Sequence, residues 1–226
     1  MILSLPRQEL FEYVNAQTNS YYPDKRTLGG DKSAFNLALE RLEYCFKHIR
    51  IKGYQDKGQA KFYHLHMDQY SAFLYYYANS ILKLGKLESY KTFADKLILL
   101  NRALSGMWFS YNNNLPDIFV FSHPVGTVLG NANYSDYLYV SQNVTINTIE
   151  DTKGDFLLNI GKGCFLSTGA KIIGNSNIGD WCTIGVDTVL HNRSLPDNYL
   201  AFTNFDGNLT IKKHDNGHII NDIFIR

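Results

Sequence analysis

The sequence predicts an α+β chain of 226 residues in three parts. An all-helical N-terminal domain covers 1–112, a parallel β-helix covers 113–204, and a hairpin tail covers 205–226. Three observations predict it. Helical periodicity is confined to the first half of the chain. An aliphatic residue then recurs at every sixth position, at Ile160, Leu166, Ile172, Ile178, Ile184 and Leu190. Finally, Asp215-Asn216-Gly217 is a two-strand turn signal near the C-terminus.

The helical part is read first. "DKSAFNLALERLEYCFKHIR" places Phe35, Leu39, Leu42 and Phe46 on one stripe, with Asp31 and Ser33 in capping position. "HMDQYSAFLYYYANSILKLG", closed by Gly85, and "ESYKTFADKLILLNRALSGMWF" are two further helices. The aromatic run Phe73 to Tyr77 is assigned to helix packing rather than to a ligand stack. His64 and His66 are two residues apart and share no helical face, so they form no metal pair. "SYNNNLPD" (110–117) ends the helical period.

A period of six belongs to neither a helix nor a flat strand. It marks stacked units that bury a continuous core between neighbours. The fourth position after each aliphatic is small: Cys164, Ala170, Ser176, Cys182 and Thr188. One large and one small inward residue per unit describes a short strand and a sharp corner, and three such units close a triangular coil. Each buried aliphatic contributes roughly 1.5–3 kcal/mol relative to exposure. Extended backwards, the phase includes Val128, Tyr134, Val140 and Ile146, with a polar insertion of eight residues inside 147–159.

Composition narrows the function classes. Lys and Arg number 22 against 21 Asp and Glu, a formal net charge of +1. Nothing in that balance points to nucleic acid, which favours a strongly basic face. No apolar run reaches about 18 residues and no signal peptide is visible, so a cytoplasmic location is expected. Three cysteines without ligand spacing predict neither disulfides nor a metal. Cys164 and Cys182 are expected as small buried residues. His214 and His218 flank the expected tail turn and are expected to be exposed. His191 ends the repeat with no third partner for a metal.

The segments "SHPVGTVLG" (122–130) and "GDFLLNIGKGCFLSTGAKIIGNSNIGDWCTIGVDTVL" (154–190) resemble the hexapeptide-repeat acyltransferases, in particular the serine O-acetyltransferase branch. The match runs from about residue 65 to 190. The resemblance implies that the β-helix is left-handed, that acetyl-CoA is the co-substrate, and that no metal takes part. It also implies a homotrimer, or a dimer of trimers, with sites at the seams.

By this resemblance His123 is the general base, taking a proton from an acceptor hydroxyl as its oxygen attacks the thioester. The groove for the CoA arm maps to Thr168, Gly169, Lys171, Gly185 and Val186. Acceptor contacts map to Ser122, Asn131, Asn147, Asp155 and Phe156. Several family groups are replaced. Phe156 and Leu157 stand where the family has arginine and histidine, Ser122 and Asn131 replace carboxylates, and the first-coil aspartate has no match in the Trp108–Ser110 region. A zwitterionic amino acid would find no charged partners there. The expected acceptor is therefore a saccharide hydroxyl, in surface polysaccharide or glycan biosynthesis. L-serine with rearranged contacts and an inactive β-helix scaffold are the alternatives.

Overall fold

In the computed structural model, residues 1–24, 26–214 and 218–225 are described. The first strand, β1 (Ile2–Leu3), leads into α1 (Arg7–Tyr21) and α2 (Ser33–Lys47). A tight hairpin, β2 (Gln55–Asp56) and β3 (Gln59–Phe62), precedes α3 (Met67–Lys83) and α4 (Leu87–Ser105). β1 pairs parallel with β3, and β3 antiparallel with β2. The helices of the sequence reading are present, but the region also holds this three-stranded sheet. Its signal was the Lys57-Gly58 pair, whose φ values of 48° and 79° suit a two-residue hairpin turn.

α3 is buried on every side from Asp68 to Ile81, as expected of a helix apolar all round. The Phe73 to Tyr77 run packs between helices, with Phe35, Phe62 and Phe93 against its rings. Buried hydroxyls need partners, and two of these tyrosines find them in the next part of the chain. Tyr75 Oη donates to the Asn113 carbonyl at 2.7 Å and accepts the Leu115 N–H at 3.0 Å, while Tyr76 Oη donates to the Asp117 carbonyl at 3.1 Å. Asn79 Nδ2 donates to the Tyr111 carbonyl at 2.7 Å. α3 is thereby stitched to the junction that follows α4. At the start of α2, the Asp31 carboxylate accepts from Lys86 at 2.5 Å and from the Ser33 N–H at 2.9 Å, which holds it well below the usual carboxylate range.

The solenoid comprises eleven strands. They are β4 (Phe119–Phe121), β5 (Val128–Leu129), β6 (Asn133–Tyr134), β7 (Leu138–Val140), β8 (Thr145–Ile146), β9 (Asn159–Ile160), β10 (Phe165–Leu166), β11 (Lys171–Ile173), β12 (Asn177–Ile178), β13 (Thr183–Ile184) and β14 (Val189–His191). Every third strand shares a face. Leu166 lies beside Ile184, Ile172 beside Leu190, and Ile160 beside Ile178. The members of each pair are eighteen residues apart, one three-sided coil. All six aliphatics of the run are buried, as are Cys164, Ala170, Ser176, Cys182 and Thr188.

The chain ends with β15 (Tyr199–Thr203), β16 (Leu209–Lys213) and the short α5 (Ile220–Ile223). β15 adds parallel to β13, and β16 returns antiparallel beside β15 through a turn at 204–208. A C-terminal hairpin is thus formed one strand earlier than the tail signal implied, and the segment expected as its second arm holds α5 instead; the turn expected at 215–217 lies outside the described residues. His218 is buried rather than exposed, with Nε2 3.1 Å from Thr183 Oγ1. Beyond it, Phe224 bridges to Ile49 and the Arg50 guanidinium donates to the Phe224 carbonyl, so the tail reaches back to the helical part. All three cysteines are buried and free, and burial pushes the Cys45 thiol up to about 11.

One position of the sequence reading is corrected. Leu129, not Val128, lies beside Ile146 and points inward. Leu129 is 1% exposed and Val128 37%. The reason is local: only five residues separate the inward Leu129 and Tyr134, where the regular sides use six, and this shortening shifts the phase read backwards from the repeat. At the preceding corner eight residues separate the inward Phe121 and Leu129, against six between Val140 and Ile146, so the first coil bulges there by two residues. Leu129→Ala should accordingly cost about 2–5 kcal/mol, whereas Val128→Thr should change stability by no more than about 1 kcal/mol. Urea unfolding of the two variants checks this assignment.

Candidate active site

The two-residue bulge is where His123 sits. Ser122, Ser141, Ser167 and Gly185 form one ladder along this corner, each N–H donating to the next coil at 2.7–3.0 Å. After Ser122 the chain leaves the ladder. His123 takes φ +49°, an uncommon value for a residue with a Cβ, and its carbonyl accepts the Val125 N–H at 2.7 Å. Its ring projects from the bulge with 81% of the side chain exposed. Backbone held in a sparsely populated region clusters at functional sites.

Above His123 on the same corner lie Thr168 and Gly169, then Val186 and Asp187. With coils about 4.8 Å apart, Thr168 stands two coils, roughly 10 Å, from His123. Gly169 has φ +72°, and a Cβ there would fall 1.9 Å from Asp187 Oδ1, so only glycine allows that side chain to lie over the turn. Val125 and Val186 are both exposed along this corner. Lys171 faces outward on the neighbouring four-stranded face, with its ammonium donating to the Gly169 carbonyl at 3.1 Å. Thr168, Gly169, Gly185 and Val186 therefore form one continuous strip with His123, and Lys171 flanks it.

The residues mapped to the acceptor divide. Ser122 adjoins His123. Asn131 and Asn147 lie at the next corner, across the four-stranded face, where Gly130 N–H and Asn147 N–H donate to Ile146 and Ile172 carbonyls. Asp155 and Phe156 belong to the insertion, which folds back on itself: Glu150 bridges antiparallel to Phe156, and Asp151 N–H donates to the Asp155 carbonyl at 2.9 Å. Asp151 caps that turn through the N–H groups of Lys153 and Asp155, which holds its carboxyl below the usual range. One chain does not bring this second group to His123.

One residue at the site went unread in the sequence. Asp68, in the first turn of α3, has Oδ2 3.8 Å from His123 Nδ1. It lines a cleft of about 170 Å³ with Ile51, Tyr54, His66, Val120, Phe121, Ser122, His123 and Tyr139. Trp108 occupies the first-coil position, bridging parallel to Val128, with the Arg102 guanidinium 5.0 Å over its ring. Nothing near His123 in the sequence signals Asp68, because fifty-five residues separate them and only the docking of α3 joins them. Among the described residues, no group of three or more His, Cys, Asp or Glu is placed to hold a metal ion, and no helix is long and apolar enough to cross a membrane.

No family model matches the chain, and no curated protein matches it by sequence. Solved structures do match. Serine acetyltransferase from Neisseria gonorrhoeae superposes with a TM-score of 0.67 at 16% identity, covering 95% of this chain and 82% of that one. The enzyme from Vibrio cholerae O1 biovar El Tor N16961 gives 0.60 at 17%, covering 92% and 73%. A serine acetyltransferase in complex with CoA gives 0.55 at 15%, covering 88% and 74%. At such identities the likeness speaks for architecture. The chain has the serine acetyltransferase fold, N-terminal helices followed by a left-handed parallel β-helix.

Proposed function

We propose that the protein is an acetyl-CoA-dependent O-acetyltransferase with His123 as general base and a saccharide hydroxyl as acceptor. The observation that carries this reading is the solitary two-residue bulge, which presents an exposed imidazole at the foot of a strip of small residues and turn backbone. In the proposed reaction the outward ring nitrogen of His123 takes the acceptor hydroxyl proton as the oxygen attacks the thioester carbonyl. The tetrahedral intermediate collapses, the C–S bond breaks, and the CoA thiolate recovers the proton from the imidazolium. The CoA arm would lie along Thr168, Gly169, Gly185 and Val186, with Lys171 available to a phosphate.

The same reading calls for a trimer. The four-stranded face bears Val128, Thr145, Lys171 and Val189 in one outward row, with Trp108 at its end. Trp108, Val128 and Val189 are all exposed. Pairing this face between copies would cover apolar surface and would bring Asn131, Asn147, Asp155 and Phe156 of one copy toward His123 of another. Sedimentation at micromolar concentration is expected to give a trimer or a multiple of it. A monomer would remove the shared site.

The acceptor assignment rests on what surrounds His123. The positions that would bind a zwitterion carry Ser122, Phe156, Leu157 and Trp108, none of them charged. An arginine contact to a carboxylate is worth about 1.5–3 kcal/mol, and its loss weakens serine at the start of the reaction. Thiol release from acetyl-CoA should accordingly be faster with glycan or nucleotide-sugar acceptors than with L-serine. Serine turnover with kcat/KM of about 10⁴ M⁻¹s⁻¹ or more, an ordinary enzymatic value, would reverse the acceptor assignment. His123→Ala should lower kcat by about 10²–10⁴ with the fold retained by circular dichroism. Unchanged turnover would require a different base.

A further inference from the structure

Asp68 is 8% exposed, and among the described residues its one ion-pair partner is His123. It belongs to the helical part of the molecule, while His123 belongs to the solenoid. We propose that Asp68 is the positioning residue of His123, its carboxylate holding the proton on Nδ1 so that Nε2 faces the reactants as a base. The proposal rests on the acetyl-transfer reading for its chemistry, and on the geometry alone for the contact.

Several observations converge on it. An imidazole is a base at one nitrogen only when its other nitrogen keeps the proton, and a carboxylate at that second nitrogen selects the tautomer. The separation of 3.8 Å is an ion-pair distance and longer than a hydrogen bond. Contacts of this kind are often long in the unliganded state and tighten when substrate is bound. The exposed His123 side chain has room to make that movement. Asp68 also lies in the first turn of a 17-residue helix, where unpaired N–H groups and the helix dipole favour a negative charge.

The other groups facing this cleft do not compete for the role. Tyr54 is buried, and burial together with the charge of Asp68 pushes its hydroxyl well above the ordinary range, so it stays neutral. His66 and Tyr139 line the walls, and Ser122 adjoins His123 in the chain. Asp68 is the single carboxylate of the cleft. When Nε2 takes the acceptor proton, the ring becomes an imidazolium that keeps its Nδ1–H toward Asp68. When Nε2 returns that proton to the departing thiolate, the ring is neutral again with the same tautomer. Asp68 itself neither gains nor loses a proton.

The test separates this contact from the activity it serves. Ring-nitrogen NMR shifts of ¹⁵N-histidine-labelled protein, with His123→Gln identifying the signals, report which nitrogen of neutral His123 carries the proton. The wild type should show the Nδ1–H form, and Asp68→Ala or Asp68→Asn should shift the ring to the Nε2–H form; circular dichroism establishes that each variant is folded. The same tautomer in the wild type and both variants would overturn the proposal. In thiol-release kinetics with acetyl-CoA and a transferring acceptor, Asp68→Asn should lower kcat by roughly 10²–10⁴, on the scale set by known histidine–aspartate pairs. KM for acetyl-CoA should stay within about threefold, and Asp68→Glu should recover part of kcat. Wild-type kcat in a folded Asp68→Asn variant would also overturn it. If the tautomer shifts as expected while the wild type transfers acetyl to no acceptor, the contact stands and the acetyl-transfer reading falls.

Discussion

The parallel backbone ladder between successive coils is the constraint on which everything else depends. Each strand of only two or three residues is too short to hold itself, yet its N–H and C=O groups are paired by the coils above and below it. That pairing works only if every coil follows nearly the same three-sided path, and in the uninterrupted run it fixes eighteen residues per turn. The inward positions then stack in columns, Val140 on Leu166 on Ile184 and Ile146 on Ile172 on Leu190. Small residues at the fourth positions let the corners close over them. The period of six in the sequence is thus the ladder's own requirement, transcribed into side-chain size.

A regular ladder leaves little freedom for chemistry, because side chains of one face are locked into rows. The chain departs from its period at few places. The bulge before Leu129 lifts His123 out of the row, and the insertion within 147–159 leaves the solenoid and folds on itself. Neither disturbs the ladder, since the inward residues on both sides resume their columns. The site therefore sits on excursions whose cost is confined to a corner, such as the positive φ of His123. The helical part makes its own contribution through α3. Its tyrosine hydroxyls bind the junction carbonyls, and the same helix begins with Asp68 beside the bulge.

Legibility in the sequence follows the strength of each periodic signal. The solenoid from 160 to 190 was readable to the residue, because six consecutive sides repeat one size pattern. Val128 was misread because the one-residue shortening between Leu129 and Tyr134 leaves no trace in composition. Of the helices, α1 was missed: its buried residues are Leu10, Phe11, Val14 and Thr18 among polar neighbours, a stripe too thin to stand out. His123 was visible through its surrounding motif. Asp68 was not, since tertiary docking alone makes a pair of two residues so far apart in the chain, and the division of the acceptor positions between two corners likewise requires the coil geometry.

The hairpin of β15 and β16 gives the solenoid an end. A parallel coil offers its last edge as a template for another coil, from the same chain or a different one, and open edges of this kind invite polymerisation. On the longest face that edge is met by a strand running the opposite way, and that strand ends in Lys212 and Lys213. A seventh parallel strand would face a reversed hydrogen-bond pattern and two ammonium groups. The molecule thus has a defined length because its final strand changes direction, and any growth by association is left to the flat sides of the prism rather than to its tip.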